Sequence, residues 1–166
     1  MPRWRPPRPR SSPYITPQGY QALDAELKAL WLQRRNEVVP ALRAAAAEGD
    51  RSENAEYTYR KRQLAGIDRR IRYLSRRLDE VEVVRGAPPR RDQVFFGAWV
   101  TVEDGQGAEA CYRIVGSDET SAGDGWISVD SPVARALLRR QVGDEIIVDL
   151  PDRRLELLIV SIRYDT

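Results

Sequence analysis

The sequence predicts an α+β protein: an N-terminal antiparallel α-helical coiled-coil hairpin, followed by a small antiparallel β-sheet with one helix. Three observations predict it. Apolar residues recur at spacings of three and four up to about residue 85, and at a spacing of two from about residue 94. The charge changes sign near the same place: 20 Lys/Arg face 12 Asp/Glu through Gly97 (+8), and 7 face 13 from Ala98 onward (−6). Breakers gather at the junction, in Gly86-Ala-Pro-Pro-Arg-Arg. Opposite charge in the two parts points to two modules with different partners.

Residues 1–13, rich in Arg and Pro, read as a disordered or polyproline-like tail. Residues 14–85 make the hairpin, 86–93 the linker and 94–166 the C-terminal module. In the first helix Thr16 is the N-cap and Pro17 takes the first helical position. Tyr20, Leu23, Leu27 and Leu30 form its seam, which Trp31 broadens, and Val38, Leu42 and Ala44–Ala47 continue it to Gly49. Pro40 lies inside this helix, where it removes one hydrogen bond and should kink it. The second helix runs from near Ser52 to about Arg85, with Tyr57, Leu64, Ile67, Ile71, Leu74, Leu78 and Val81 as its seam. Two such helices joined by a few residues must pack antiparallel, in a rod of roughly 45 Å for some thirty residues.

Beyond the linker, VFFGAWVTVED, ACYRIVG, WISVD, EIIVDL and LELLIVSIRY are five strand candidates, with turns at DGQG and SAGDG. SPVARALLRRQ is the one helix, capped by Ser131 with Pro132 at its first position.

Composition narrows the chemistry. The 166 residues include no histidine, which removes Ser-His-Asp and Cys-His nucleophile systems and imidazole metal sites. Cys111 is the only cysteine, so there is neither a disulfide framework nor a zinc cluster; its alternating run places it as a buried strand residue. Phosphate-cradling glycine loops are absent. With no run near the roughly 20 apolar residues of a membrane span, and no apolar stretch after the basic N-terminus, a cytoplasmic protein is expected.

The informative stretch is EGDRSENAEY, where Asp50, Glu53 and Glu56 crowd onto the hairpin tip. Two readings compete. Asp50 with Glu53 three residues later fits a capping box, Ser52 offers another cap, and acids in a first turn complement the helix dipole. Alternatively, two carboxylates at a free tip supply hard oxygen ligands for Mg²⁺. That site would be poor alone and would work only when carboxylates of another protein complete it. Between positions 60 and 77 the second helix has eight Arg or Lys against one acid, Asp68, which argues for a nearby polyanion. Arg60, Lys61, Arg69, Arg70 and Arg76 are the RNA-binding candidates among them.

GDRSENAEY, IDRRIRYL, VFFGAWV, YRIVG and WISVDSPVARALL-RRQVGDE together resemble the GreA/GreB transcript-cleavage factors of bacteria, over about Ile15 to Tyr164, with wording nearer GreB than GreA. The resemblance implies a coiled coil that enters the secondary channel of RNA polymerase and an FKBP-like C-terminal domain that docks near the channel mouth. It implies that Asp50 and Glu53 hold a catalytic Mg²⁺ shared with polymerase and activate water, so that polymerase hydrolyses its own backtracked transcript at the RNA 3′ end. The chain would then be an accessory factor rather than an enzyme, acting as a monomer away from membranes. Asp130, Ser131 and Pro132 would lie on the docking surface. The Arg/Pro tail and Pro40 lie outside the family pattern. One alternative is a non-cleaving secondary-channel regulator with the same fold, against which the intact Asp50/Glu53 pair speaks. A coiled-coil nucleic-acid binder with an unrelated β domain is another.

Overall fold

A computed structural model describes residues 6–48 and 54–165. They form two compact units: Tyr20–Val81, and the residues up to Gly19 together with those from Glu82 onward.

The hairpin begins with α1 (Pro17–Gln33), passes through a π-helical stretch (Arg34–Val38) and continues as α2 (Val39–Ala46). Thr16 caps α1 as expected, its hydroxyl accepting from Gly19 N–H at 3.0 Å. The break expected at Pro40 takes the form of the π-helical stretch, where Val39 N–H bonds to Arg34 O. The wider turn accommodates the missing donor and the ring, which would otherwise press on the carbonyl four residues back.

Helix α3 (Ala55–Glu80) runs back along the first. It ends before the expected Arg85, because the β-branched run after Glu80 turns extended at Val81. Val38, Ile67 and Ile71, with Leu27, Leu30 and Leu64 against them, form the seam. Arg34 Nε–Asp68 Oδ1 at 2.8 Å and a two-pronged Arg70–Glu26 pair at 2.7 and 3.0 Å cross it in antiparallel register. Trp31 does not broaden the seam. It lies about 80° round the helix from Leu23, past the edge of the buried stripe, and is 51% exposed.

In the second unit, β1 (Tyr14–Ile15) and β2 (Glu82–Val83) pair in parallel. The five expected strands all form: β3 (Trp99–Asp104), β4 (Glu109–Val115), β5 (Trp126–Ser128), β6 (Glu145–Asp149) and β7 (Arg154–Arg163), in the order β5-β4-β3-β7-β6. The sheet is mixed rather than wholly antiparallel, because the short β5 joins β4 in parallel. Helix α4 (Pro132–Leu137) covers one face, with Ala134 and Leu137 fully buried beside Val100, Val102, Ile114 and Ile159. Tyr164 closes that core: its hydroxyl accepts from Phe95 N–H at 2.9 Å and donates to Gln93 O. Burial pushes the phenol above its usual range.

Cys111 is in β4 but exposed, contrary to expectation. The core-facing parity of β4 belongs to Tyr112 and Ile114, so Cys111 shares the opposite face with Arg113. There Arg113 stacks between Trp99 and Trp126, at 5.1 and 4.9 Å from their ring centres, and pairs with Asp165 at 3.1 Å. Among the described residues, no helix is long and apolar enough to cross a membrane.

Candidate functional site at the hairpin tip

The start of α3 sets the geometry of the tip. Its N-cap is Asn54, whose side-chain oxygen accepts from Tyr57 N–H at 3.0 Å. Asn54 Nδ2 donates across the hairpin to Ala45 O at 2.7 Å, near the end of α2. One side chain therefore satisfies a free donor at the start of one helix and adds a second bond to a carbonyl near the end of the other. The capping box expected from Asp50 and Glu53, and the alternative cap Ser52, are replaced by this arrangement in starting α3. Asp50, Ser52 and Glu53 themselves lie outside the described residues. Asn54 was missed because Asp50, Ser52 and Asn54 are all good caps within five residues, and only the register of α3 chooses among them.

Asn54→Ala removes both bonds and is expected to lower stability by about 1–2 kcal/mol. Asn54→Asp keeps the cap but loses the donor to Ala45, and should fall between the two in thermal unfolding. Equal melting temperatures for all three proteins would mean that the clasp contributes nothing.

Glu56, the third tip carboxylate, is engaged in the helix surface by Arg60 Nε at 2.7 Å. Arg60 also reaches Gln63 at 3.0 Å. Of the basic candidates, Arg60 and Arg70 are turned toward acids of the hairpin, whereas Arg76 approaches Glu80 only at 4.0 Å. Lys61 and Arg69 are exposed. At about 100° per residue, Lys61, Arg69 and Arg76 share the outward face of α3 with the exposed Arg62 and Arg72, opposite the seam. The structure therefore divides the basic run into residues engaged by side chains of the hairpin, Arg70 across the helices and Arg60 within α3, and residues facing solvent.

In the second unit Ser131 caps α4, accepting from Ala134 N–H at 3.2 Å, and Pro132 is exposed at its first position. Asp130 is half-buried, with its N–H on Ser128 Oγ at 3.1 Å.

Two family models match: "Transcription elongation factor, N-terminal" over residues 13–83, and "Transcription elongation factor, GreA/GreB, C-term" over residues 88–164. Between them they cover both units, and the class is that of a transcription elongation factor. The chain belongs to the GreA/GreB family. A transcription elongation factor GreB of Xanthomonas axonopodis is 59% identical over 165 residues, covering 99% of this chain and 98% of its own. Those of Haemophilus ducreyi and Pseudomonas aeruginosa are 52% and 48% identical, covering 93% and 99% of this chain and 96% and 98% of their own. Among solved structures, the transcription factor Gfh1 aligns over 92% of this chain and 97% of its own, at 26% identity and a TM-score of 0.44.

Proposed function

We propose that the chain binds RNA polymerase and stimulates hydrolysis of the backtracked transcript, with Asp50 and Glu53 as the residues it contributes to the chemistry. The observation that carries this reading is the cap at Asn54. With α3 already capped, the capping-box role does not account for Asp50 and Glu53. Two carboxylates fit Mg²⁺ in donor type, being hard oxygens, but fall short in number. The remaining ligands would therefore come from polymerase, and the chain alone is an accessory factor rather than a nuclease. When bound, the metal would lower the pKa of an attacking water and offset charge on the phosphodiester.

The hairpin delivers the two acids. Asp50 and Glu53 present ligand oxygens, and one carboxylate accepts the proton of the water that attacks the RNA phosphorus. Asn54, the residue after Glu53 in the sequence, ties the two helix ends together. The outward cations of α3 bind the extruded RNA 3′ segment through its phosphates. Asp130, Ser131 and Pro132 dock the second unit on polymerase, which holds the tip at high effective concentration.

The test is transcript cleavage in arrested polymerase complexes, with and without the protein. Short RNA fragments should appear much faster when polymerase, Mg²⁺ and the protein are all present than when the protein is left out. Hydrolysis of naked RNA by the purified chain would sink the accessory mechanism. Within that assay, reversing Arg69, Arg72 and Arg76 to Glu should slow cleavage of deeply backtracked complexes about tenfold or more at low salt. The deficit should shrink as salt rises, because screening already weakens the native attraction. Unchanged rates at low salt would return these arginines to the role of a solvated face.

A further inference from the structure

The Asp130 carboxylate is the one anionic group of the loop Ser128–Pro132, and it is already bound within the chain. Ser12 donates its backbone N–H to Asp130 Oδ2 at 2.8 Å, and its hydroxyl donates to Oδ1. The partners stand 118 residues apart in sequence. Both bonds end on a carboxylate in a half-buried setting, the stronger kind of hydrogen bond. The next residue is pinned as well, Pro13 O accepting from Glu82 N–H at 2.7 Å. Ahead of Ser12 run the exposed Arg8, Pro9, Arg10 and Ser11. The match to the N-terminal family model begins at residue 13, just after Ser12.

We propose that the N-terminal tail is an intramolecular competitor for the docking surface, with Ser12 holding the Asp130 carboxylate until RNA polymerase displaces it. The inference rests on the reading of Asp130, Ser131 and Pro132 as that surface. A partner that needs the Asp130 oxygens binds only the fraction of molecules in which Ser12 has let go, and its apparent affinity falls by that fraction. With nine molecules in ten closed, release of the tail tightens binding about tenfold. The contact thus sets a threshold. Polymerase in which other contacts also form overcomes it, whereas weak encounters through the second unit alone do not.

The experiment measures the affinity of full-length proteins for RNA polymerase, each first shown to be folded by circular dichroism. Ser12→Glu sets a second carboxylate against Asp130 and is expected to tighten binding about 3- to 10-fold. Ser12→Ala keeps the amide bond and should tighten it less. Pro132→Glu alters the surface without touching the Ser12 bonds, and should weaken binding. If Pro132→Glu weakens binding while neither Ser12 variant tightens it, the tail is not a competitor; weaker binding by the Ser12 variants would instead make it part of the docked surface. If Pro132→Glu binds normally, the docking surface lies elsewhere, and both readings fall.

Discussion

Asp50→Asn and Glu53→Gln are each expected to cut stimulated transcript cleavage by about two orders of magnitude or more, while polymerase affinity stays close to that of the unchanged protein. An amide is nearly the same size as the carboxylate it replaces, but it is a far weaker Mg²⁺ ligand and cannot accept the proton of water. The fold should be indifferent to the change. The α3 cap is Asn54, so neither substitution removes the bond to Tyr57 N–H or the clasp to Ala45 O. Stability should shift by less than about 1 kcal/mol. Because the two acids act as a unit, the double variant should be little worse than either single one. Each variant should compete with the unchanged protein for polymerase and inhibit its cleavage. Normal cleavage by both single variants would end the case for metal ligation at the tip.

Glu119→Ala should bring the largest loss of stability at a polar position, about 2–4 kcal/mol. The Glu119 carboxylate accepts from Thr16 N–H at 3.1 Å, from the Thr16 hydroxyl and from Gly116 N–H at 2.8 Å. Thr16 is only 4% exposed, so its donors cannot turn to water once the acceptor is gone. Gly19 belongs to the same arrangement, since a Cβ there would stand 2.1 Å from Glu119 Oε1. In urea the unfolding midpoint should fall with little change in slope, because the surface exposed on unfolding is nearly the same. Glu119→Gln retains one acceptor oxygen but sets an NH₂ against a donor, and should be intermediate. A Glu119→Ala protein with an unchanged midpoint would show that these bonds exchange with water at no net cost.

Such contacts also mark where local pattern stops being informative. The periods of three to four and of two are properties of neighbouring residues, so both helices, all five strands and the Ser131-Pro132 start of α4 could be read from the sequence alone. The tip acids Asp50 and Glu53 were legible in the same way, as residue types at a fixed spacing beside a turn. The parallel partner of β5, the outward turn of Trp31 and the outward face of Cys111 were not. In each case the pattern narrows the choice to two faces or two directions, and the packing of distant residues decides between them. The cap of α3 went to Asn54 because the register of α3 places it there, and its amide then both accepts from Tyr57 N–H and donates across the hairpin to Ala45 O. Ser12 with Asp130 and Thr16 with Glu119 lie 118 and 103 residues apart, and no periodicity links residues at such distances. The sequence by itself determined the elements and the chemistry offered at the tip, because both depend on near neighbours. Only the tertiary structure decided which side chains are held and which stay free to meet a partner, because hydrogen bonds between distant residues exist only once the chain has folded.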